Sequence, residues 1–391
     1  MNATSQRKTK WLMMMVFCLI SAINSYAQTV VPRAPSLVQM AVATFDSTRV
    51  YLATADRSLL MEQYPRQPKD NKCSFLWGYS AMLSGVSALC EATGDKHWQK
   101  IMDGIMLLGL DKYYDKRRQP AAYASYLNVD APSDRYYDDN IWLGIDMADL
   151  YQTTHNEKYL RRAEEIWAFV MSGCDDKLGG GIYWCEQKKM GKNTCSNAPA
   201  SVMALKLYLA TGKESYLATG KELYLWTRAK LEDPADHLYF DNLSLSGQVG
   251  KDKYSYNSGQ MMQAAALLYK ITGDPAYLEQ AQLTAKACYD RFFENAGSTA
   301  PLLKGGMMWF DAVMVRGFIE LYRIDHQPLY LKACKASVTT AWNRARSDQG
   351  LFSGHYNRMQ PVCTLLNQAA MVEMYARLST IESYKKTLQI K

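Results

Sequence analysis

KITGDPAY, residues 270–277, ends one helix, turns, and begins the next helix with an aromatic residue. Gly273 stands where the C-cap of a helix favours a left-handed residue. The same arrangement recurs as EATGDKHW (91–98), QTTHNEKY (152–159), LATGKESY (209–216) and RIDHQPLY (323–330). The aromatic residues that close the five segments are, in chain order, 61, 57, 61 and 53 residues apart. The chain therefore contains an internal helical repeat.

The segments between these turns have the apolar periodicity of amphipathic helices. YLRRAEEIWAFV and YLEQAQLTAKACYDRFF place apolar residues at i, i+3, i+4 and i+7, whereas strand signals are scarce. A period near 57 residues exceeds the ~34 of a tetratricopeptide repeat and suits two helices with one short and one long connection. About six such units fit the chain, with terminal helices near residues 37–64 and 364–378. We predict an all-α (α/α)6 barrel of six helical hairpins; the rival is an open solenoid, whose polar caps neither terminal helix resembles.

In a closed ring, the short turns lie on one face and the long connections on the other. The long connections are rich in Gly, Asn, Asp, Tyr and Trp, and loops over a rigid scaffold usually carry the binding site. Aromatic platforms combined with amide, acid and guanidinium groups suit a sugar, which offers a flat apolar face and a ring of hydroxyls. The candidate platforms are Tyr137, Trp184, Tyr256 and Trp309, and the candidate polar contacts are Asn197, Asn257, Gln260, Arg316 and Gln368. The alternative for an aromatic at helical spacing is the core, and for Arg316 it is a surface salt bridge.

Two adjacent carboxylates, Asp138 and Asp139, end one long connection within DRYYDDNIWLGIDMADLY (134–151). Either could cap the following helix or favour its first turn through the helix dipole. Capping needs only one side chain, however, and adjacent carboxylates push their pKa values apart, so that one is ionised while the other holds a proton. Retaining glycoside hydrolysis uses such a pair, a nucleophile and an acid/base about 5 Å apart. We predict that the pair is catalytic and that Tyr136 or Tyr137 orients it.

Other chemistries fit the sequence less well. The five histidines include no HExxH and no paired ligand spacing, so we expect no catalytic zinc. No GxSxG elbow occurs, and LGGGIYW lacks the spacing of a phosphate-binding loop. Calcium bound by Asp138 and Asp139 is an alternative, but it would need more oxygen ligands at regular spacing. We predict an enzyme without a metal or another cofactor.

The N-terminus has the pattern of a secretory signal peptide. Three cations and no acid precede the apolar run WLMMMVFCLISAI, which is too short for a membrane span. The small-x-small pattern SYA predicts cleavage after Ala27, leaving residues 28–391 as a single catalytic domain. Lipidation would need a cysteine after a small residue, but Cys18 follows Phe17. No later stretch predicts a membrane span, and we expect a periplasmic or secreted monomer.

Charge and cysteine content narrow the functional class further. The net charge of +7 falls to +4 without the signal peptide, and scattered basic residues give no support for nucleic-acid binding. The eight cysteines beyond the cleavage site are too few for a disulfide framework in a chain of this length. Cys90, Cys288 and Cys334 sit in helical patterns, as small hydrophobes do. Cys185 and Cys195 flank a loop and could pair in an oxidising compartment.

Six sequence blocks occur in a fixed order over about residues 70–378. They are YYDDNIWLGIDMADLY, GGGIYW, SNAPASVMALKLY, YSYNSGQMMQAAALLYKITGD, LKGGMMWFDAVMVRGFIELY and LNQAAMVEMYARL. Together they resemble glycoside hydrolase family 76. The resemblance implies an (α/α)6 fold, endo-acting α-1,6-mannanase activity on α-mannan, and a retaining mechanism without metal. It also implies an order that the pair alone did not give, with Asp138 as the nucleophile and Asp139 as the acid/base.

One block departs from the family. LLKGGMMWFDAVMVRG is longer and richer in Met than the usual family segment, so substrate length or side-chain tolerance could differ. Three alternatives stay open. A mannan transglycosylase would use the same carboxylates and transfer the glycosyl group to another sugar. A different (α/α)6 hydrolase or lyase would act on uronic-acid glycans, and a non-catalytic glycan-binding helical-repeat protein would not need the two carboxylates at all.

Overall fold

Helices of two kinds alternate along the chain. In the computed structural model, which describes residues 34–127 and 131–389, the helices are α1 (Leu37–Tyr51), α2 (Leu76–Thr93), α3 (Lys96–Ile101), α4 (Leu107–Leu110), α5 (Tyr137–Thr154), α6 (Glu157–Met171), α7 (Thr194–Thr211), α8 (Glu214–Leu231), α9 (Ser255–Thr272), α10 (Pro275–Phe292), α11 (Met308–Asp325), α12 (Leu329–Arg344) and α13 (Leu365–Gln389). A π-helical turn, Met102–Met106, joins α3 to α4. The predicted signal peptide lies outside the described residues.

The inner helices, α2, α5, α7, α9, α11 and α13, are buried on almost every side. In α7, for example, every residue from Thr194 to Leu207 is buried, and a helix that is apolar all round belongs in an interior. The outer helices bury a single stripe. In α6 that stripe includes Tyr159, Ala163, Ile166 and Val170, spaced by three or four residues, as expected for a helix with one face in water.

The inner helices close into a ring, because each packs on the next and α13 packs on α2. The antiparallel pair β1 (Gln63–Tyr64) and β9 (Cys363–Thr364) joins the two ends of the ring. Gly259 of α9 lets α11 come close, since a Cβ there would lie 2.4 Å from the Cα of Met314. The predicted (α/α)6 barrel is confirmed. Helix α1 is shorter than predicted and ends at Tyr51, whereas α13 is longer.

A left-handed residue ends five of the inner helices at the short turns. Gly94, Gly212 and Gly273 have φ angles of 63°, 68° and 72°, as the sequence predicts. His155 and His326 take the same conformation at 55° and 56°, which is uncommon for a residue with a Cβ. The repeat therefore depends on the conformation of the turn and does not require glycine at every copy.

The long connections lie on the opposite face, where the inner helices begin. They contain short antiparallel pairs: β2 (Tyr114–Asp115) with β3 (Ala122–Tyr123), β4 (Gly191–Asn193) with β5 (Asn242–Ser244), β5 with β6 (Val249–Gly250), and β7 (Phe293–Glu294) with β8 (Leu302–Leu303). The β4–β5 pair ties the connection before α7 to the connection before α9. The N-terminal ends of the inner helices, which are the positive ends of their dipoles, thus open onto one surface.

Candidate active site

Asp138 and Asp139 lie in the first turn of α5, on the face where the inner helices begin. Both side chains are partly buried. The N-cap position belongs to Tyr136, whose side chain makes no capping bond. The capping interpretation of the Asp pair therefore does not describe this helix.

Three donors converge on the carboxylate of Asp138. The indole N–H of Trp184 donates to Oδ2 over 3.1 Å, and the backbone N–H of Asp139 donates to Oδ1 over 3.1 Å. The thiol of Cys195 is the third donor. Trp184 is itself fixed, because its carbonyl accepts the N–H of Tyr137 over 2.9 Å. Hydrogen bonds of this kind favour the ionised form of a carboxyl group.

The two carboxyl groups have different electrostatic surroundings. Burial raises the pKa of Asp138 to about 6, and hydrogen bonds from Cys195 and Trp184 limit that rise. Burial, and then the charge of Asp138, raises the pKa of Asp139 well above its usual value. These surroundings favour ionisation of Asp138 before Asp139 as the pH rises. This is the order that a nucleophile and a general acid need.

Aromatic rings flank the pair. Trp184 is 42% exposed, and its ring lies 4.9 Å from that of Tyr136, centroid to centroid. Tyr256 stacks on Phe310 with centroids 4.1 Å apart, and the exposed ring of Tyr254 contacts Phe310 at 5.5 Å. Accessible rings of this kind suit the apolar face of a sugar. The structure places the candidate platforms Trp184 and Tyr256 at the site and adds Phe310 and Tyr254, which the sequence analysis missed.

Asp138, Cys195 and Tyr256 occupy the same position, the second residue, of three consecutive inner helices. The Tyr256 hydroxyl donates to the sulfur of Cys195, which in turn donates to Asp138. The eight cysteines of the described chain are free thiols, so Cys195 is not paired with Cys185 in this structure. Aligning the helices on their common turns would have placed Cys195 next to the candidate nucleophile.

Amide side chains at the fourth position of the inner helices hold the long connections. Oδ1 of Asn197 accepts the N–H of Ile182 over 2.6 Å, while Nδ2 donates to the Ile182 carbonyl over 2.9 Å. Gln368 binds the N–H and the carbonyl of Phe352 in the same way, over 2.8 and 2.7 Å. Both amides are fully buried. The prediction that Asn197 and Gln368 contact a sugar is therefore corrected, because their polar atoms are used by the loop backbone.

This role predicts a loss of stability when Gln368 is replaced by Met. The substitution keeps the length of the side chain but leaves the N–H and carbonyl of Phe352 buried without a partner, which should cost about 2–4 kcal/mol of unfolding free energy. Urea denaturation followed by circular dichroism measures the change. The control is Gln282→Met on the exposed surface of α10, expected to stay within about 0.5 kcal/mol of the unmodified protein. Equal stability of the two variants would contradict the anchoring role.

Two candidate platforms lie in the core below the site. Tyr137 and Trp309 are each 1% exposed. The ring of Tyr137 stacks on Phe169 with centroids 4.8 Å apart, and that of Trp309 meets Trp142 edge to face at 5.1 Å. The prediction that these two residues contact a sugar is corrected, because both rings are covered by other side chains. Tyr137 also does not orient the carboxylates through its side chain, which faces Phe169.

The candidate polar contacts Asn257 and Gln260 are also buried. Asn257 donates to Asp241 over 3.2 Å, and Gln260 donates to Gln263 over 2.8 Å. Their side-chain oxygens find no hydrogen-bond partner among the described residues. Neither side chain reaches the surface around the Asp pair, so their predicted contact with substrate is corrected as well.

Arg316 lies deeper still, about 10 Å along α11 from Trp309 at ~1.5 Å of rise per residue. It is 3% exposed and forms a bidentate ion pair with Glu373, over 2.6 and 2.9 Å. The predicted sugar contact is thus corrected, and so is the alternative of a surface salt bridge, because the ion pair is inside the barrel.

Between residues 34 and 127 and from 131 onward, no three His, Cys, Asp or Glu side chains are grouped so as to hold a metal ion. None of the helices from α1 to α13 has both the length and the apolar character of a bilayer span.

The chain is similar to known proteins over most of its length. The profile of Glycosyl hydrolase family 76 matches residues 60–385. A family 76 glycoside hydrolase (mannosidase) of Bacteroides thetaiotaomicron has a similar solved structure, with a TM-score of 0.84 and 32% sequence identity over 89% of this chain and 99% of that one. A family 76 enzyme from a bovine strain of the same species gives a TM-score of 0.84 and 34% identity over 89% of this chain and 78% of the other.

A more distant similarity is to an α-1,6-mannanase of Salegentibacter, solved as an inactive variant altered at two adjacent Asp residues and in complex with α-1,6-mannotriose. Its TM-score is 0.75, with 24% identity over 88% of this chain and 100% of that chain; at this identity the similarity concerns the fold alone. The search of curated proteins returns no match.

Proposed function

Because the chain belongs to glycoside hydrolase family 76, we propose that it is a retaining endo-α-1,6-mannanase in which Asp138 is the nucleophile and Asp139 the acid/base. The observation that carries the proposal is the difference in surroundings between the two carboxyl groups. Asp138 accepts three hydrogen bonds, whereas burial and the charge of Asp138 act together to keep a proton on Asp139.

In the first step, a carboxylate oxygen of Asp138 attacks the anomeric carbon of a mannose unit. The bond from that carbon to the leaving oxygen breaks, and the proton of Asp139 moves to the leaving oxygen. In the second step, Asp139, now a carboxylate, takes a proton from water. The resulting hydroxide adds to the anomeric carbon and the ester to Asp138 breaks. The hydrogen bonds from Trp184 and Cys195 orient Asp138. They stabilise its negative charge again when the carboxylate is restored at the end of the cycle.

The proposed substrate is a chain of α-1,6-linked mannose. The exposed ring of Trp184 and the Tyr256–Phe310 stack offer platforms near the pair, and the Salegentibacter mannanase binds α-1,6-mannotriose and, in a second inactive variant, α-1,6-mannotetrose. A sugar chain that continues past the cleaved bond in both directions needs aromatic platforms beyond the acids. Platforms near the pair therefore suit binding in the middle of such a sugar chain. This binding mode predicts endo action.

The test is incubation of the purified protein with unbranched and branched α-1,6-mannan. We expect mixed oligosaccharides early in the reaction, with the α-anomer as the first reducing end seen by proton NMR. A first-formed β-anomer would overturn the retaining mechanism. Release of mannose alone would overturn endo action. Released oligosaccharides that grow longer with time would indicate transfer to another sugar and would overturn hydrolysis. No release from either polymer would overturn the proposed activity.

The hydrogen bond from Trp184 predicts a change in pH dependence. Replacing Trp184 by Phe removes a donor to the ionised form of Asp138, so the pKa of Asp138 rises. Asp138 acts as a carboxylate, and activity is therefore lost as the pH falls through its pKa. We expect the acid limb of kcat/KM, near pH 6 in the unmodified protein, to move to higher pH. The control is Trp167→Phe on outer helix α6, and a limb that stays in place or moves to lower pH would contradict the role of the indole.

We also propose that the protein acts outside the cytoplasm as a monomer. The support for the location is the basic start, the apolar run and the SYA pattern before Gln28 in the sequence. N-terminal sequencing of protein recovered from periplasm and culture medium should begin at Gln28, and recovery of the uncleaved chain from the cytoplasm would overturn the assignment. Size-exclusion chromatography with light scattering tests the monomer.

A further inference from the structure

Three inner helices carry an aromatic residue at the N-cap position, on the face of the barrel where the catalytic acids lie. They are Phe75 of α2, Tyr136 of α5 and Tyr254 of α9, and none of the three side chains makes a capping hydrogen bond. Ser, Thr, Asn or Asp is preferred at this position, because their side chains cap the helix. Helix capping therefore does not explain the aromatic residues.

Each of these N-cap rings contacts a second aromatic ring, which gives three aromatic pairs on this face. The distances between ring centroids are 5.4 Å in Phe75–Tyr126, 4.9 Å in Tyr136–Trp184 and 5.5 Å in Tyr254–Phe310. The pairs on α5 and α9 flank the catalytic acids. The third pair, Phe75 and Tyr126, is called here the α2 pair; it takes no part in the cleavage step, although Phe75 is 46% exposed.

Hydrogen bonds hold the α2 pair in place although it is open to solvent. The backbone N–H of Phe75 donates to the carboxylate of Glu62 over 2.9 Å. The next backbone N–H, that of Leu76, donates to the carbonyl of Ser125 over 2.8 Å. The hydroxyl of Tyr126 is hydrogen-bonded to the backbone of the segment that leads into α2. The pair is therefore preorganised, and a ligand that stacks on it loses little affinity to the ordering of side chains.

The α2 pair is connected to the active site in two ways. Asn140, the fourth residue of α5, binds both the N–H and the carbonyl of Tyr123 over 2.9 Å. The second ring of the α2 pair follows three residues later, within about 10 Å, which is the reach of three extended residues. Trp77, which is partly exposed and lies two residues after Phe75, stacks on Phe310 with centroids 6.2 Å apart. Aromatic side chains thus continue from the platforms beside the acids to the α2 pair.

We propose that the α2 pair is a distal subsite, in which a further mannose unit of a long substrate chain places its apolar face on the exposed ring of Phe75. This inference rests on the proposed α-mannan substrate. Helix α2 packs beside α5 in the ring, and packed helices lie about 8–10 Å apart. The unit bound at the α2 pair therefore lies beyond the mannose that forms the ester to Asp138. The subsite strengthens the binding of long chains and takes no part in the chemistry.

Hydrolysis of α-1,6-mannooligosaccharides of increasing length, from the trisaccharide to the octasaccharide, tests the subsite. In the unmodified protein kcat/KM should rise with length until the chain covers the α2 pair. On the long substrates Phe75→Ala should lower kcat/KM by about three- to tenfold, the effect of one lost aromatic contact. The loss should come from a higher KM with kcat unchanged, because the contact is made equally in the ground state and the transition state. On the shortest substrates that are cleaved, kcat/KM should be the same for both proteins.

Three further variants serve as controls. Phe75→Tyr keeps the flat ring and should retain the length dependence of the unmodified protein. Phe75→Leu keeps an apolar side chain over Tyr126 but removes the flat face, and it carries the test if the melting temperature shows that Phe75→Ala does not fold. Leu225→Ala removes a side chain of similar exposure from outer helix α8, and it should change kcat/KM at no chain length.

The outcomes separate the subsite from the proposed activity. If Phe75→Ala and Phe75→Leu kept the length dependence of the unmodified protein, the distal subsite would be overturned and the mannanase activity would stand. A fall in kcat/KM by the same factor at every length would indicate a structural role for Phe75 and would also overturn the subsite. If the unmodified protein cleaved none of the oligosaccharides, the proposed activity would fail and the subsite with it.

Discussion

Replacement of Asp138 by Asn is expected to abolish mannan hydrolysis, with a fall in kcat on the order of 10⁴-fold or more, as in other enzymes that lose their nucleophile. The amide of Asn does not attack the anomeric carbon to form the glycosyl ester, so the first step does not take place. Binding of α-1,6-mannotriose should be largely retained, because the nucleophile acts mainly in the transition state. Initial rates of reducing-end release and calorimetric titration with the trisaccharide measure the two effects.

A matched control exists on the same face of the barrel. Asp134 precedes the pair and forms an exposed ion pair with Lys188. Asp134→Asn therefore makes the same substitution away from the reacting groups. We expect its kcat to stay within about twofold, since exposed ion pairs contribute little. If Asp138→Asn kept a tenth of the activity, or if Asp134→Asn lost as much, Asp138 would not be the nucleophile.

The sequence predicted the barrel because the fold depends on a repeated local signal. Each short turn combines a left-handed residue with an aromatic that begins the next helix, and both properties are local. The burial of nearly every face of the inner helices could be expected only once the ring was known, since periodicity reports which residues are apolar and not what covers them. Helix ends were less certain, as α1 and α13 show.

The candidate site was predicted in part. Asp138, Asp139, Trp184 and Tyr256 come together because helix starts and long connections meet on one face. The amides failed as sugar contacts for a physical reason: a long connection buries its own backbone, and each buried N–H and carbonyl needs a partner. Asn197 and Gln368 supply those partners, so residues that resemble a polar binding set in the sequence are used by the scaffold.

The prediction that Trp309 contacts a sugar failed for a related reason. The second position of each inner helix faces its neighbours in the ring, and whether a side chain there is open to solvent depends on the size of the adjacent ones. Trp309 is covered by Trp77 and Trp142, while Tyr256 keeps its hydroxyl on Cys195 beside the acids. Composition alone does not distinguish these cases. The proposed order of the Asp pair likewise rests on three-dimensional surroundings that neighbouring residues in sequence do not reveal.

Replacement of Asp139 by Asn is expected to have a different signature from the loss of Asp138. With mannan, whose leaving group needs a proton, kcat should fall by about 10²–10⁴-fold, the usual contribution of a general acid. With an aryl α-mannoside carrying a good leaving group, the first step needs no proton, so a burst of released phenol should remain while the glycosyl enzyme accumulates. Stopped-flow absorbance records the burst, and mass spectrometry of the quenched protein detects the added glycosyl group on Asp138.

The pH profile gives an independent test of the same assignment. Asp139 acts in its protonated form, so in the unmodified protein kcat/KM should fall as the pH rises through its raised pKa, while Asp138 sets the acid limb near pH 6. In Asp139→Asn the rate of the burst should lose the alkaline limb and keep the acid limb, because only Asp138 still titrates. Two results would require the roles to be exchanged: an alkaline limb that persists in Asp139→Asn, or a burst that the activated mannoside restores to Asp138→Asn. The hydrogen bonds from Trp184 and Cys195 would then stabilise the carboxylate of the acid/base after it has given up its proton.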